Sequence, residues 1–260
     1  MAKSTTGMLS SWPDQRRIQY AIVFGWLACS SIILAWLIPE SAGVAIASVG
    51  AWVFSGPAAI YGANRPGWFG MDHVGSWGRE VLVTAPYVLL STALLALHKR
   101  TSRENPVDEI MPGLFLGRRM TGMEFTSWVV GRGKVSVLDV TSEFSEPNVI
   151  VRQARAWKCV PMLDGVASEP ADLCEAITWV RQQLSEGPVY VHCALGHGRS
   201  ATVCAAVLVS LGVCESIEAA DRWIRERRPA AGPSSAQLRS AALALRLLNA
   251  DGSAETGAGD

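Results

Sequence analysis

The chain has 260 residues with 23 basic and 23 acidic side chains, and it is 49% hydrophobic but only 18% charged. A formal charge of zero offers no basic surface of the kind that binds nucleic acid, so we expect no nucleic-acid partner. The charged fraction lies below the usual quarter or so, and nearly all uncharged runs precede residue 100. This distribution predicts a membrane region followed by a soluble one.

Residues 1–100 contain two long uncharged runs that predict a helical hairpin in the membrane. The first run, 18–38, follows Arg16 and Arg17 and is long enough to span a hydrocarbon core. The second run, 42–63, is rich in glycine and alanine, as suits close packing of helices in lipid. A cleavable signal peptide is the alternative for the first run, but its apolar part would be unusually long and a second run follows at once.

A third uncharged run, 81–97, is shorter and contains Pro86, so it predicts either a third span or a helix in the membrane interface. Basic residues flank all three runs. The positive-inside rule places every flank in the cytoplasm only if the third run does not cross the membrane. We therefore expect an integral protein of the inner or plasma membrane, with two spans and an interfacial third helix.

The six cysteines form no CxxC pair and no metal-type cluster with histidine. Most of them are expected to be reduced, buried thiols, which favours a reducing compartment. A reactive thiol also suits such a compartment better than an oxidising exterior. We therefore expect the C-terminal domain to lie in the cytoplasm.

Residues 101–249 show the alternating pattern of an α/β domain, after a polar linker at 101–106. Short apolar and β-branched runs predict strands, and apolar residues at helical spacing predict helices. The predicted strands are 114–116, 135–140, 157–162 and 188–192, and the predicted helices are 171–184, 200–211, 217–227 and 234–248. This order predicts a mainly parallel central sheet flanked by helices. The small, polar residues 250–260 predict a disordered tail.

The segment that carries chemistry is His192-Cys-Ala-Leu-Gly-His-Gly-Arg-Ser200, which connects a predicted strand to a predicted helix. Such a connection directs successive backbone N–H groups and the positive end of the helix dipole at one point, and this cradle binds a tetrahedral dianion. Glycines let the backbone curl closely around the anion. Substrate binding is therefore assigned to Ala194, Leu195, Gly196, His197 and Gly198, while His192 is expected to anchor the loop through hydrogen bonds.

Cys193 lies at the mouth of this cradle, where N–H groups and the helix dipole favour a thiolate nucleophile. Arg199, six residues on, can hold two phosphoryl oxygens with its planar guanidinium. Ser200 can donate its hydroxyl to the sulfur and help it to leave in a second step. A strand-to-helix turn with a buried cysteine is the structural alternative, but the flanking strand, two glycines and apolar helix make the pattern specific.

This His-Cys-x5-Arg-Ser loop resembles that of the dual-specificity branch of the protein tyrosine phosphatase superfamily. The resemblance extends to 113–117, 137–140 and 219–228, and it covers about residues 107–249. Some membrane-anchored bacterial members also look similar in the N-terminal region. The resemblance implies a tyrosine-phosphatase-like fold, a phosphocysteine intermediate at Cys193, and a mechanism without metal or cofactor.

The resemblance also implies a general acid on a loop upstream of the nucleophile, because an alkoxide or phenolate leaves poorly without a proton. Asp164 follows a predicted strand and precedes a predicted helix, which is where the family has this residue. The same carboxylate would then activate water in the second step. Asp139 is the rival, but it lies within a predicted strand, and both it and Asp172 on the following helix are interpreted as structural.

We therefore expect a membrane-anchored, cysteine-dependent phosphatase of phosphotyrosine, phosphoserine or phosphothreonine in proteins. One alternative is a phosphatase of phosphorylated lipids, of the phosphoinositide or phosphatidylglycerophosphate type, which the anchor and a partly cationic His197 would favour. The other is a non-catalytic phosphate-binding docking module, which the intact Cys193, Arg199 and Asp164 argue against. The basic residues Arg222, Arg225, Arg227 and Arg228 are expected to form a solvated helix face.

Overall fold

The computed structural model describes residues 15–70 and 79–256. Within these ranges the chain forms nine α-helices, a 3-10 helix at Pro66–Phe69 and five β-strands. The helices are α1 (Gln15–Ala35), α2 (Glu40–Ala63), α3 (Arg79–Thr101), α4 (Gly122–Val129), α5 (Asn148–Gln153), α6 (Pro170–Glu186), α7 (Arg199–Ser210), α8 (Ile217–Arg227) and α9 (Ser235–Thr256). The strands are β1 (Val107–Met111), β2 (Leu114–Arg118), β3 (Ser136–Thr141), β4 (Trp157–Met162) and β5 (Val189–Cys193).

Helices α1 and α2 pack against each other as the predicted hairpin. By length and composition, both are apolar enough to cross a membrane, over Arg16–Ala35 and Glu40–Ala63. Large apolar side chains such as Trp26 and Ile33 are exposed, as residues facing lipid would be. The helices approach closely at Gly50, where an added Cβ would lie 2.3 Å from the Ser31 side chain. Two apolar helices that can span a membrane are therefore confirmed, while their insertion stays a prediction.

Helix α3 extends beyond the third uncharged run at both ends. Its last turn carries His98, Lys99 and Arg100, and Pro86 lies inside it. It is not one of the two described helices whose length and apolarity suffice to cross a membrane. Its position in the membrane interface stays a prediction.

The central sheet has the strand order β1-β2-β5-β3-β4. The pairs β2–β5, β3–β5 and β3–β4 are parallel, and only the edge strand β1 is antiparallel to its neighbour. The predicted architecture of a mainly parallel sheet with flanking helices is therefore confirmed. Strand β5 lies at the centre, so its carboxyl end opens at the middle of the sheet edge.

Three short elements of the domain were not predicted. Strand β1 is half polar and occupies the sheet edge, so its sequence lacks the continuous apolar run of a buried strand. Helix α4 has only eight residues and is stabilised by a capping box between Thr121 and Glu124. Helix α5 has six residues and contributes one buried side chain, Ile150, which is too few for a helical period to show.

Helix α7 lies at the centre of the hydrophobic core. Every residue from Arg199 to Leu208 is buried, and the core includes residues of the sheet and of α6, α8 and α9. A helix that is apolar on all sides must be covered on all sides. This packing fixes the direction of α7, and with it the position of the loop that joins β5 to α7.

The prediction of a disordered tail at 250–260 is wrong for its first part. Helix α9 continues to Thr256, whereas the helix was expected to end at Leu248. The physical reason is that no proline follows Leu248, and Ala250 is a strong helix former, so the backbone is not forced to leave the helix there. Residues 257–260 lie outside the described residues.

Candidate active site

The loop 194–198 joins the end of β5 to the start of α7, at the central opening of the sheet edge. The backbone N–H of Arg119 donates to the carbonyls of Cys193 and Ala194, at 2.9 and 3.1 Å. Gly196 has a φ of +76°, and a Cβ on it would lie 2.5 Å from the Gly117 carbonyl group. Only glycine fits at this position, so the tight curl of the loop is encoded by this residue.

Cys193 is buried, with 3% of its surface exposed. Its Sγ accepts hydrogen bonds from the backbone N–H of Gly196 and from the Ser200 hydroxyl, each at 3.2 Å. Both donors point at the sulfur. The predicted contact between Ser200 and the sulfur is therefore present.

Arg199 is buried and is held in one orientation by Glu143. The guanidinium Nη1 and Nη2 donate to the two carboxylate oxygens of Glu143, both at 2.7 Å, and Nη1 also donates to the Met162 carbonyl at 3.0 Å. Burial alone would raise the pKa of Glu143, but the charge and hydrogen bonds of Arg199 lower it below its usual value. Arg199 Nε is buried without a hydrogen-bond partner among the described residues, so one donor remains for a ligand.

His192 lies directly behind the loop in a fully buried ionic network. Its Nε2 is 3.3 Å from Glu146 Oε2, and its Nδ1 is 3.9 Å from Asp139 Oδ1. Burial would lower the pKa of His192, but Glu146 and Asp139 raise it to about 9. The ring is therefore an imidazolium at neutral pH, and it also stacks on Tyr190 with 5.1 Å between ring centroids.

The three candidate aspartates lie in different surroundings. Asp164 is exposed over 66% of its side chain, and its Oδ1 lies 3.1 Å from Arg199 Nη2. Asp139 is buried and accepts hydrogen bonds from the backbone N–H and hydroxyl of Thr141, at 2.7 and 2.8 Å. Burial raises the pKa of Asp139 to about 6. The structure therefore brings Asp164, and not Asp139, to the guanidinium.

Asp172 lies on α6 and faces a cavity of about 370 Å³ that is separate from the thiol. Burial, with the neighbouring charges of Glu169 and Glu175, raises the pKa of Asp172 to about 6. Among the described residues, the cavity is lined on its other side by the end of α2 and the 3-10 helix, including Asn64 and Trp68. Asp172 is therefore a residue of this cavity wall.

His197 is tied to the linker before β1 and is not a free side chain on the loop. Its Nε2 lies 2.6 Å from Glu104 Oε2, and its ring meets that of His98 edge to face, with 6.1 Å between centroids. Through these contacts the loop touches both the linker and the last turn of α3. His197 is therefore a half-buried side chain paired with Glu104, and its role in substrate binding stays a prediction.

The expectation that Arg228 belongs to a solvated face is wrong, and this residue is the main one that sequence reasoning missed. Arg228 is buried, and it donates from Nε to the Gly196 carbonyl and from Nη2 to the Leu195 carbonyl, both at 2.9 Å. Its Nη1 also donates to Asp108 Oδ2 at 2.7 Å. By binding these carbonyls on the outer side of the loop, Arg228 helps to leave the N–H groups directed inward.

The other arginines of this stretch match the predicted surface position more closely. Arg225 pairs with Asp221 one turn earlier, at 2.8 Å, and Arg227 lies over the Trp223 ring at 3.7 Å. Glu143 and Glu146 were also missed. Both lie in the loop that follows β3, and two glutamates directly after a buried strand are a signal that sequence reasoning can use.

Two groups of side chains have the composition and spacing to hold a metal ion among the described residues. The first is His98, Glu104 and His197, and the second is Asp139, Glu146 and His192. In the second group His192 is an imidazolium, which has no free lone pair for a metal ion. The three side chains therefore form an ion-pair network. The first group is held together by the hydrogen bond between His197 and Glu104.

Taken together, the loop presents a thiol, a fixed guanidinium, inward N–H groups and a nearby carboxyl group. Residues 134–243 match the family described as "Dual specificity phosphatase, catalytic domain". This part of the chain is therefore a dual specificity phosphatase catalytic domain, and the protein is a phosphatase.

Solved structures with a similar chain fold include three phosphatases. Tk-PTP in its active form is 22% identical, covering 54% of this chain and 97% of that chain, with a TM-score of 0.48. PTPMT1 in complex with PI(5)P is 19% identical over 57% and 99%, with a TM-score of 0.49. A mouse putative dual specificity phosphatase complexed with zinc tungstate is 24% identical over 58% and 94%, with a TM-score of 0.46. No curated protein sequence matches the chain.

Proposed function

We propose that this protein is a membrane-anchored phosphatase that removes phosphate from phosphotyrosine, phosphoserine or phosphothreonine through a phosphocysteine at Cys193. One observation carries the proposal: Cys193 Sγ accepts two hydrogen bonds at 3.2 Å, from Gly196 and Ser200, at the base of the loop. The buried guanidinium of Arg199 lies next to it with Nε unpartnered among the described residues. This pairing supplies a nucleophile and an anion clamp in one cradle.

In the first step, the Cys193 thiolate attacks phosphorus, so an S–P bond forms and the bond from phosphorus to the leaving oxygen breaks. The loop N–H groups and Arg199 stabilise the negative charge on the phosphoryl oxygens. Asp164 donates a proton to the leaving oxygen, which departs as a neutral alcohol or phenol. Its exposed position beside Arg199 supports this role, since the leaving group must come from the open side of the cradle.

In the second step, water attacks the phosphocysteine. The Asp164 carboxylate takes a proton from the water, a new P–O bond forms and the S–P bond breaks. Inorganic phosphate and the Cys193 thiolate result, so atoms and charge balance without a cofactor. The Ser200 hydroxyl, which already donates to Sγ, stabilises the charge that returns to the sulfur.

His192 supports this chemistry by holding the loop in place and not as a proton carrier. Its imidazolium is fully buried behind Cys193, between Glu146 and Asp139, so it has no path to the substrate. The network also fixes the end of β5 from which Cys193 projects.

We infer that α1 and α2 anchor the domain in the inner or plasma membrane, with the catalytic domain in the cytoplasm. The length and apolarity of the two helices support the anchor. No disulfide joins any of the six cysteines, and a catalytic thiol is best preserved in a reducing compartment.

A second candidate function is hydrolysis of a phosphorylated lipid. The observation that favours it is the contact of Tyr61, on an apolar helix, with the backbone of Asp164. Because this contact holds the cradle near the apolar helices, a phosphate group on a lipid headgroup would lie within reach. A protein substrate would instead approach from the cytoplasm.

The test is phosphate release by the full-length protein in nanodiscs, with and without EDTA. A phosphotyrosine peptide, a phosphoserine peptide and phosphorylated lipids in the bilayer are compared at equal concentration. The Cys193→Ser variant is expected to lose turnover completely. Cys174→Ser is the matched control, because this thiol lies on α6 and donates to the Ala244 carbonyl.

Release from peptides that needs Cys193 and resists EDTA would support the protein phosphatase. A strong preference for lipid would move the function to lipid dephosphorylation. Residual turnover by pure Cys193→Ser would refute the assignment of the nucleophile. If the wild type bound phosphoesters tightly but released no phosphate, the result would favour the non-catalytic docking module instead.

A further inference from the structure

The loop that carries Asp164 packs on the N-terminal helices. Leu163 and Val166, on either side of Asp164, are buried at 3% and 1% exposure. They belong to a small hydrophobic cluster whose other members come from the N-terminal region: Ala21, Phe24, Ile60, Tyr61, Phe69, Tyr87 and Val88. A domain that began at residue 101 would leave these two apolar side chains without that cover.

Tyr61, near the end of α2, makes the most specific contact with this loop. Its hydroxyl donates a hydrogen bond to the backbone carbonyl of Asp164 at 3.2 Å. The Tyr61 ring is itself fixed between Tyr20 and Phe24, with 5.4 and 5.6 Å between ring centroids. The hydroxyl is therefore presented by a rigid aromatic cluster and not by a mobile side chain.

Helix α1 contacts the next residue of the same loop. Gly165 has a φ of +72°, and a Cβ on it would lie 2.6 Å from the Tyr20 hydroxyl oxygen. Both helices of the hairpin therefore bear on the segment Asp164–Gly165. At the far end of the loop, the Asn64 side-chain amide donates to Glu169.

The opposite side of the loop faces the cradle. Asp164 Oδ1 lies 3.1 Å from Arg199 Nη2, while the Asp164 backbone is held by Tyr61. The side chain itself is exposed, so packing of the side chain does not fix it. What sets its distance from the cradle is the position of the backbone, and that position depends on the hairpin.

We propose that the helical hairpin α1–α2 is part of the catalytic apparatus, and that Tyr61 is a positioning residue for the general acid Asp164. This inference rests on the proposed function, since it concerns the leaving-group step of that reaction. The hairpin holds the acid loop against Arg199 before substrate arrives. A change in how the helices pack or sit in the bilayer is then transmitted to proton donation.

The experiment compares two aryl phosphates with the full-length protein in nanodiscs. 4-Nitrophenyl phosphate releases a stable phenolate that needs no proton, whereas phenyl phosphate releases one that does. Asp164→Asn is expected to lower kcat/KM, which reports the leaving-group step, by about 100-fold on phenyl phosphate and little on 4-nitrophenyl phosphate, because general acids contribute on that scale. Tyr61→Phe should show the same selectivity at about 5-fold, as expected for loss of one hydrogen bond.

Tyr87→Phe is the matched control. Tyr87 belongs to the same aromatic cluster, stacking on Phe69, and its hydroxyl bonds to Ser91, whereas that of Tyr61 bonds to the acid loop. This variant is expected to keep the wild-type ratio of the two rates. Retained activity on 4-nitrophenyl phosphate also shows that Tyr61→Phe is folded.

The proposal is overturned if Tyr61→Phe keeps the wild-type ratio, or loses both rates equally, while Asp164→Asn is selective. Failure of the proposed function looks different. In that case the wild type hydrolyses neither ester, or Asp164→Asn shows no dependence on the leaving group.

Discussion

The contacts of Arg228 lead to a sharp prediction about how the phosphate-binding loop is held. Replacing Arg228 with methionine keeps the length and apolar stem of the side chain but removes every donor. The carbonyls of Leu195 and Gly196 then lose their partners at 2.9 Å, and Asp108 loses its ion-pair partner at 2.7 Å. The loop is no longer fixed from its outer side.

The magnitude follows from the nature of these bonds. Hydrogen bonds to a charged group contribute about 1.5–3 kcal/mol each, and here two of them hold the loop. We expect the unfolding free energy of Arg228→Met to fall by about 3 kcal/mol. Because the N–H groups lose their common direction, kcat/KM should fall by about 100-fold, as small misplacements in an active site do.

Loop geometry and stability are separated by measuring phosphate affinity as well. The full-length variant is assayed for turnover, for inhibition by inorganic phosphate and for thermal unfolding. Arg225→Met is the control, because Arg225 is an exposed arginine of α8, the helix directly before Arg228, and it pairs with Asp221 one turn earlier. Arg228→Met with unchanged kcat/KM and phosphate affinity would refute the reasoning, even if its stability fell.

Three further predictions concern residues around the cradle. Glu143→Gln should raise KM and the inhibition constant of phosphate by about 10-fold or more, because an amide meets the Arg199 donors with a donor of its own; unchanged phosphate inhibition would contradict this. His192 has its pKa raised from 6.5 to about 9. Its contribution to the stability of the folded protein, about 3 kcal/mol, is therefore complete below pH 6.5 and is lost as the pH rises through 9. The free energy of unfolding, measured from pH 6 to 10, should show this loss in wild type but not in His192→Gln. Gly196→Ala should lower kcat/KM by about 100-fold through its clash with Gly117, whereas Gly131→Ala, at a similar φ of +78° with open space around it, should leave activity unchanged.

The phosphate-binding loop could be predicted from the sequence because its chemistry is local. A strand, five residues and a helix bring Cys193, Arg199 and Ser200 together whatever the rest of the chain does. The strand-to-helix geometry also follows from the short, apolar β5 and the apolar α7. Asp164 could be predicted in a similar way, because it lies just beyond the end of β4, a strand of the same parallel sheet.

The supporting residues could not be predicted, because their partners are distant in sequence. Arg228 binds carbonyls more than thirty positions earlier, and Glu143 binds an arginine more than fifty positions later. On the sequence, Arg228 looks like its neighbours Arg225 and Arg227, which are surface residues. Only the tertiary fold distinguishes a buried clamp from a solvated side chain of the same type.

A boundary between the membrane region and the catalytic domain at residue 101 stays a prediction, and the two parts are in contact across it. Leu163 and Val166 are apolar residues on a connecting loop, where polar residues are usual, and they are buried in a cluster with residues of α1, α2, α3 and the 3-10 helix. Full burial of such a side chain is worth about 1.5–3 kcal/mol, so the loop has a substantial preference for the docked position. The apolar residues that flank Asp164 are therefore the feature of the sequence that indicates this docking. A catalytic domain cut at residue 101 would retain Cys193 and Arg199 but lose what holds its proton donor, and we expect it to discriminate against poor leaving groups.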